Sequence, residues 1–229
     1  MSFHKFTLAE IRSETPELLH LSLQEPGPEF RAAYTVPGQY IQIKHGEVKP
    51  GFFALASGPK QKGVELLIKR GSPLTNIIAE LRAGDAVEAT VPQGKGYPLA
   101  QAKGRDVFLV GVGSGIAPLR ALMHELLRER SAYGRVVFVY GARASNAFPY
   151  AAEVQSWNSQ SIDVTCACSQ PAAGTWNGPV GRVQACLAAQ GKIDAQSAVF
   201  VCGMKPMVED VKAAFTKLGL ADGRIFQNF

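Results

Sequence analysis

A chain of 229 residues that is 46% apolar and 19% charged has a globular rather than a disordered composition. Its net charge of +5 comes from scattered lysines and arginines (Lys60, Lys62, Lys69, Arg70, Arg128, Arg130), so no concentrated basic surface is expected and nucleic-acid binding is excluded. No stretch reaches the roughly 18 apolar residues of a membrane span and no export leader is read at the start; Cys166, Cys168, Cys186 and Cys202 form no C-x-x-C pair, so a cytoplasmic protein with reduced thiols and no bound metal is expected.

Up to about residue 100, short extended runs alternate with Gly/Pro turns. Strands are predicted at 3–11, 18–24, 39–44, 52–57, 64–69 and 86–91, punctuated by Pro26-Gly27-Pro28, Pro37-Gly38, Pro50-Gly51, Gly58-Pro59 and Gly84-Asp85. This grammar predicts an antiparallel β-barrel or sandwich. A helix interrupts it over 74–81, with Thr75 as N-cap and Ile77, Ile78 and Leu81 as its apolar face. Residues 93–104 read as a linker.

Beyond Gly104 strands alternate with helices. Strands are predicted at 107–110, 136–140, 162–167, 198–202 and 224–229, and helices at 117–130, 150–157, 181–189 and 207–218. The first of these helices carries Leu119, Leu122, Met123, Leu126 and Leu127 as an apolar stripe, with Pro118 in its first turn. Five strands alternating with helices predict an α/β doubly wound parallel sheet.

The run FLVGVGSGIAPLRALM (108–123) feeds a buried strand through Gly111, Gly113, Ser114 and Gly115 into a helix. Glycines allow close backbone approach, and the helix N-terminus offers N–H groups to a pyrophosphate, so the turn predicts dinucleotide binding. Ile116 replaces the third glycine of the usual fingerprint, and Tyr140-Gly141-Ala142-Arg143 ends the next strand without an acid, which excludes an ordinary Rossmann dehydrogenase. A hydrolase nucleophile at Ser114 is excluded because Val112 and Ile116 stand where its elbow needs glycine, and no histidine follows His124. In VFVCGMKPMVEDV (199–211) Cys202 ends a strand beside the expected ligand crevice, as a site residue or a small buried filler. Glu153, Asp163 and Asp194 read as solvated faces or caps, and His4, His20, His45 and His124 as surface or core residues without ligand spacing.

Taken together, GVGSGIAPL (111–119), VYGAR (139–143), Ser169, TWNGPVGRV (175–183) and VFVCGMKPMV (199–208) resemble the ferredoxin–NADP reductase superfamily. PGQYIQI (37–43) and GSPLTNIIAELRAGDAV (71–87) extend the resemblance over the first half. It implies an FAD-binding β-barrel domain over 1–100 and an NAD(P)-binding α/β domain over 104–229, with no iron–sulfur module. Electrons would pass from NAD(P)H through FAD to a small-molecule or protein acceptor.

By the same resemblance, flavin contacts fall on Phe52, Phe53, Ala54, Leu55 and Ser57, on Ile68 and Lys69, on Leu74, Thr75 and Asn76, and on Phe229. The nicotinamide dinucleotide would meet Gly113, Ser114, Gly115, Ala117 and Pro118, then Gly141, Ala142, Arg143 and Ser169, then Cys202, Gly203 and Met204. Cys202, Ser57 and Phe229 would stand at the reacting rings, Cys202 as a positioning residue. The family's Arg-x-Tyr-Ser motif falls on Gly51, Phe53 and Ala54, losing a charge-assisted phosphate contact worth about 1.5–3 kcal/mol; Lys69 or Arg70 would replace that charge. Ser169 is followed by Gln170 rather than an arginine, which points to NADH over NADPH. The lost motif leaves an alternative open, a flavin-poor nucleotide-binding or electron-transfer partner subunit without independent catalysis.

Overall fold

The computed structural model describes residues 2–24 and 27–228. Six strands of the first half, β1 (His4–Ser13), β2 (Leu18–Leu23), β3 (Tyr40–Lys44), β4 (Gly51–Ala54), β5 (Val64–Lys69) and β6 (Ala86–Ala89), form an antiparallel sheet in the order β4-β3-β6-β1-β2-β5. A bridge between Leu55 and Leu66 brings the two outer strands together, closing the sheet around Leu8, Leu21, Ile41, Val64, Ile68 and Val87. The run expected as one strand over 52–57 leaves β3 after Ala54 to make this bridge.

Two local expectations change. Gly27-Pro28 does not simply turn the chain: Pro28 lies in the first turn of α1 (Pro28–Ala33), where its missing N–H costs nothing, and Phe30 and the following Tyr34 fill the barrel core. The second helix, α2 (Pro73–Glu80), is capped by Ser72 rather than Thr75. The Thr75 N–H donates to Ser72 Oγ at 3.2 Å and the Ser72 N–H donates to Thr75 Oγ1 at 3.0 Å. This reciprocal capping box puts Thr75 in the third helical position.

The second half forms a parallel sheet, β11-β10-β7-β8-β9, from β7 (Val107–Val112), β8 (Val136–Ala142), β9 (Ile162–Cys168), β10 (Ala198–Cys202) and β11 (Ile225–Phe226). Its helices are α3 (Ile116–Arg128), α4 (Ala151–Ser156), α5 (Val183–Leu187) and α6 (Lys205–Lys217). Strand residues divide by alternation: Leu109, Phe138, Tyr140 and Phe200 face the side that carries α3, whereas Phe108, Val110, Val137, Val139 and Val201 face α5 and α6. The strand order reverses between β7 and β10, the switch point at which such sheets bind ligands.

The barrel lies against the α3 side of this sheet, where Leu18, Ala56 and Leu67 join one cluster with Leu119, Leu122, Met123 and Phe200. The stretch read as a linker takes part in this packing: Tyr97 is fully buried there. Arg120 of α3 crosses the seam, donating to the Ala56 carbonyl at 2.9 Å and to Glu65 on the barrel side, and to Glu153 Oε2 at 2.7 Å on the other. Its guanidinium also lies 4.5 Å from the centre of the Tyr150 ring. His124 meets the second Glu153 oxygen at 2.7 Å, so Glu153 is a paired, half-buried carboxylate rather than a solvated one. Nearby, His20 Nδ1 and the Tyr150 hydroxyl are 3.1 Å apart, and the Tyr150 N–H donates to Glu14 at 3.0 Å.

Burial opposes the Arg120 charge, but Glu153 and Glu65 outweigh it and hold the guanidinium more firmly protonated. Burial likewise opposes the Glu153 carboxylate, yet the His124 hydrogen bond and the Arg120 charge bring its pKa below the usual range. At His20, burial and then the Arg12 charge depress the ring.

Replacing Arg120 by Ala leaves Glu65 without its Arg120 partner and Glu153 with His124 alone. The expected loss is about 3 kcal/mol, the lower end of the roughly 3–5 kcal/mol for a broken buried pair, because both carboxylates keep some exposure. A urea denaturation midpoint equal to wild type would refute this. His20 and Glu153 both bind fewer protons in the native than in the unfolded chain, so stability is complete above about pH 6.5 and falls on acidification, first through His20 and then through Glu153. Urea midpoints between pH 8 and 5 should decline, and His20→Gln should flatten that decline.

Candidate functional site

At the switch point, three glycines serve three different needs. Gly113 has φ +56, a left-handed value that favours glycine, and a Cβ there would have no atom within 4 Å. The approach to this turn is therefore open. At Gly115 a Cβ would lie 2.5 Å from the Cys202 carbonyl oxygen, and at Gly111 2.5 Å from Leu119 Cδ1. Gly115 thus lets the start of α3 touch the end of β10, a constraint that the expectation of simple backbone access to a phosphate did not include. Tyr140 donates its hydroxyl to the Gly113 carbonyl at 2.7 Å and pins the turn. The Gly113–Gly115 turn runs straight into α3, the Ile116 N–H donating back to the Gly113 carbonyl, so the N-terminal end of this continuous helix presents partial positive charge to an anion. Ala117 and Pro118 are buried in the first turn of α3, so they shape the site from behind.

The ends of β8 and β9 form the next wall. A Cβ at Gly141 would meet Val183 at 2.6 Å, which places α5 tightly behind this edge. Ser169 and Gln170 donate their N–H groups to the carbonyls of Ala142 and Arg143 at 2.9 and 2.8 Å. The Arg143 guanidinium donates to Gln170 Oε1 at 2.8 Å. Above them Phe148 and Trp176 stack 4.7 Å apart and 4° from parallel, an aromatic platform that no sequence spacing indicated. The Trp176 indole N–H donates to the Pro179 carbonyl at 3.0 Å, and Ser145 bonds Thr175 at 2.9 Å, which holds the 175–183 loop over the sheet edge.

Across the switch point Cys202 ends β10, followed by Gly203 and the exposed Met204. A Cβ at Gly203 would meet Met207 at 2.6 Å and Val112 at 2.9 Å, so this turn also rests closely on β7. Burial pushes the Cys202 thiol up to about 11, against a hydrogen bond from Tyr97. A neutral thiol suits a positioning role and not a nucleophile. Among the described residues no group of three or more His, Cys, Asp or Glu side chains is arranged to hold a metal ion.

On the barrel side, Phe52 is 65% exposed and meets Tyr40 edge-on at 5.6 Å. A Cβ at Gly51 would be 2.9 Å from the Phe53 ring and 3.1 Å from Leu74 Cδ2. The position that carries arginine in the family motif is therefore closed by Phe53, and the departures at Gly51 and Phe53 are one packing change, separate from that at Ala54. Leu55 and Ile68 point into the barrel core, so only their backbone can meet a ligand. Ser57 is buried; its Oγ accepts the Glu65 N–H at 3.0 Å, and its carbonyl accepts the Tyr34 hydroxyl. Lys69 pairs with Glu17 at 3.2 Å and Arg70 donates to Ser13 at 3.2 Å, so both expected replacement charges are engaged elsewhere.

The start of α2 is partly committed too: Ser72 takes the N–H groups of Thr75 and Asn76, and Asn76 Oδ1 accepts the Gly71 N–H at 3.1 Å. The Leu74 amide remains as a first-turn donor without an intrahelical acceptor. Phe229 lies outside the described residues. Its neighbour Asn228 is buried and donates to the Gly38 carbonyl at 3.2 Å, which brings the end of the chain back to the barrel.

These residues fit a nicotinamide dinucleotide through the open Gly113 turn and the α3 dipole. They fit a flavin through the Phe53 ring and the α2 start beside it, with stacking and backbone contacts in place of an arginine, while Phe52 and Tyr40 lie on the opposite face of the strands. Surface hollows of about 390 Å³ beside Arg12, Arg70 and Arg82 and about 260 Å³ beside Lys44 and His45 lie away from this crevice.

Residues 109–213 match the oxidoreductase NAD-binding domain family. The chain is 27% identical over 231 residues to the gamma subunit of sulfhydrogenase 1 from Pyrococcus furiosus, covering 98% of this chain and 78% of that one. It is 30% identical over 230 residues to the reductase component of phenol 2-monooxygenase from a Pseudomonas species, covering 94% of this chain and 60% of that protein. In fold it is similar to a ferredoxin NADP+ reductase from Neisseria gonorrhoeae solved with bound FAD and NADP, at TM-score 0.85 and 18% identity over 99% of this chain and 98% of that one.

Gly115→Ala forces a methyl group against the Cys202 carbonyl. The expected result is a loss of about 1–3 kcal/mol, as for overpacking, with nicotinamide-dinucleotide affinity weakened more than in Gly113→Ala. Urea denaturation and calorimetric titration check the two parts, and wild-type values in both would refute the contact.

Proposed function

We propose that the chain is a member of the ferredoxin–NADP reductase superfamily, taking a hydride from NADH onto FAD and handing the electrons on to a protein acceptor. Residues 1–100 serve as the flavin domain and 104–229 as the pyridine-nucleotide domain in this reading. The observation that carries it is the Gly115–Cys202 contact: it joins the phosphate-binding turn of α3 to the end of β10 beside the barrel seam. FAD, when bound, accepts two electrons as a hydride and releases them singly. The protein's own part is alignment at near-attack distance, which agrees with the absence of a paired acid–base constellation among the crevice residues described above.

Each wall has a task in this reading. Gly113, Ser114 and Gly115 receive the dinucleotide phosphates, Phe148 and Trp176 border its adenosine end, and Cys202, Gly203 and Met204 flank the nicotinamide. Phe53 borders the flavin ring and the Leu74 amide meets its pyrophosphate, while Ser57 supports the flavin strand. NADH is preferred because Gln170 occupies the Arg143 guanidinium, which would otherwise meet a 2′-phosphate. A protein acceptor is supported by relatives that are subunits or reductase components of larger systems. The thiols and the absence, among the described residues, of a helix long and apolar enough to cross a membrane support a cytoplasmic site of action.

The purified protein is expected to be yellow, with a flavin absorbance that bleaches on anaerobic addition of NADH. A colourless protein that neither takes up FAD nor oxidises NADH would overturn the reading in favour of a flavin-free partner subunit. In steady state, kcat/KM for NADH should exceed that for NADPH about tenfold, one charge-assisted contact's worth, and Gln170→Arg should reverse the order.

A further inference from the structure

We propose that Tyr97 is a positioning residue for Cys202, its hydroxyl fixing the end of β10 to the barrel and thereby the spacing of the two cofactor sites. The proposal rests on the function proposed above. Tyr97 comes from the stretch that composition marks as a linker, yet none of its side chain reaches solvent. Its N–H donates to the Pro37 carbonyl at 2.8 Å, and a Cβ on Gly38 would be 2.7 Å from its ring. Gly38 has φ +89 and its carbonyl accepts the Asn228 amide, so the barrel turn, the chain end and Tyr97 form one packed unit.

The other side of Tyr97 faces the parallel sheet. Its ring meets Phe200 edge-on at 5.4 Å, and its hydroxyl donates to the Val201 carbonyl at 3.3 Å and interacts with the Cys202 thiol. Phenylalanine would fill the same apolar space, and a buried hydroxyl is costly unless it is bonded. Here both of its partners are in the last two residues of β10. The Cys202 carbonyl in turn touches the Gly115 position. Contacts therefore run without a gap from the barrel turn at Gly38 through Tyr97 and Cys202 to the dinucleotide turn.

The test uses the full chain carrying Tyr97→Phe. In the protein without added cofactor, alkylation of each cysteine by iodoacetamide is followed at pH 9 by peptide mass spectrometry. Cys202 should react about tenfold more slowly in the variant, because its thiolate loses a donor, while Cys166, Cys168 and Cys186 are unchanged. An unchanged or faster Cys202 rate overturns the proposal. With FAD bound, flavin reduction by NADH should slow about tenfold at unchanged KM for NADH. In a Cys202→Ala background, which keeps the Val201 carbonyl as acceptor, Tyr97→Phe should slow reduction by clearly less than tenfold; an undiminished effect there overturns the proposal. If Tyr97→Phe does not fold, the wild-type chain decides by NMR: the buried Tyr97 hydroxyl proton should exchange slowly with solvent, and the lack of a protected hydroxyl signal overturns the proposal. A chain that takes up neither FAD nor NADH refutes the reductase reading instead, and the alkylation rates still decide the role of Tyr97.

Discussion

The Arg120 guanidinium is where the two sheets are held against each other. It reaches a backbone carbonyl and a carboxylate on the barrel and a second carboxylate on α4, and the Tyr150 ring covers one of its faces. Removing a charge from water is costly, and the cost is offset only where several well-placed acceptors surround it. Arg120 has such acceptors from both sides of the seam and no substitute for either. A planar fork with fixed donors suits this task better than a flexible ammonium would. With the seam fixed, the switch point of the parallel sheet faces the barrel at a set distance.

That distance is the quantity a hydride-transfer site needs. Neither wall of the crevice supplies a paired acid and base, and the Cys202 thiol at its edge is held neutral by burial. The nucleotide wall is built from close backbone contacts: Gly115 on the Cys202 carbonyl, Gly203 on Val112 and Gly141 on Val183. Such contacts leave little room for adjustment because interiors pack at crystal-like density. The flavin wall is built differently. Phe53 closes the position of the absent arginine and Ser72 already satisfies part of the α2 start, so the ring face there is aromatic and the phosphate end relies on backbone dipoles.

The architecture was legible in the sequence to a large degree. Gly/Pro punctuation marked each of the six barrel strands, and the strand–helix alternation marked the five parallel ones. Helix starts were less legible. Ser72-Pro73 carried the signal for α2, but the polar Thr75 nearer the apolar residues competed with it. The turn at Gly27-Pro28 was read as a break, although proline is as well suited to a helix's first turn. Glu153 and His20 looked like surface or isolated residues because their partners, Arg120 and Tyr150, are distant in the chain.

The sequence by itself determined the periodicities, the glycine-rich turn and the absent arginine, because strand alternation, turn conformation and residue identity are local properties. Only the tertiary structure decided why Gly115 must be glycine, what fills the place of the arginine side chain, and that the supposed linker is anchored by a buried tyrosine. Each of those depends on atoms brought together from remote parts of the chain: Gly115 on Cys202, Gly51 on Leu74, and Tyr97 on Gly38 and Val201. Close packing between such segments is set by the whole fold, and no spacing along a single strand or helix encodes it.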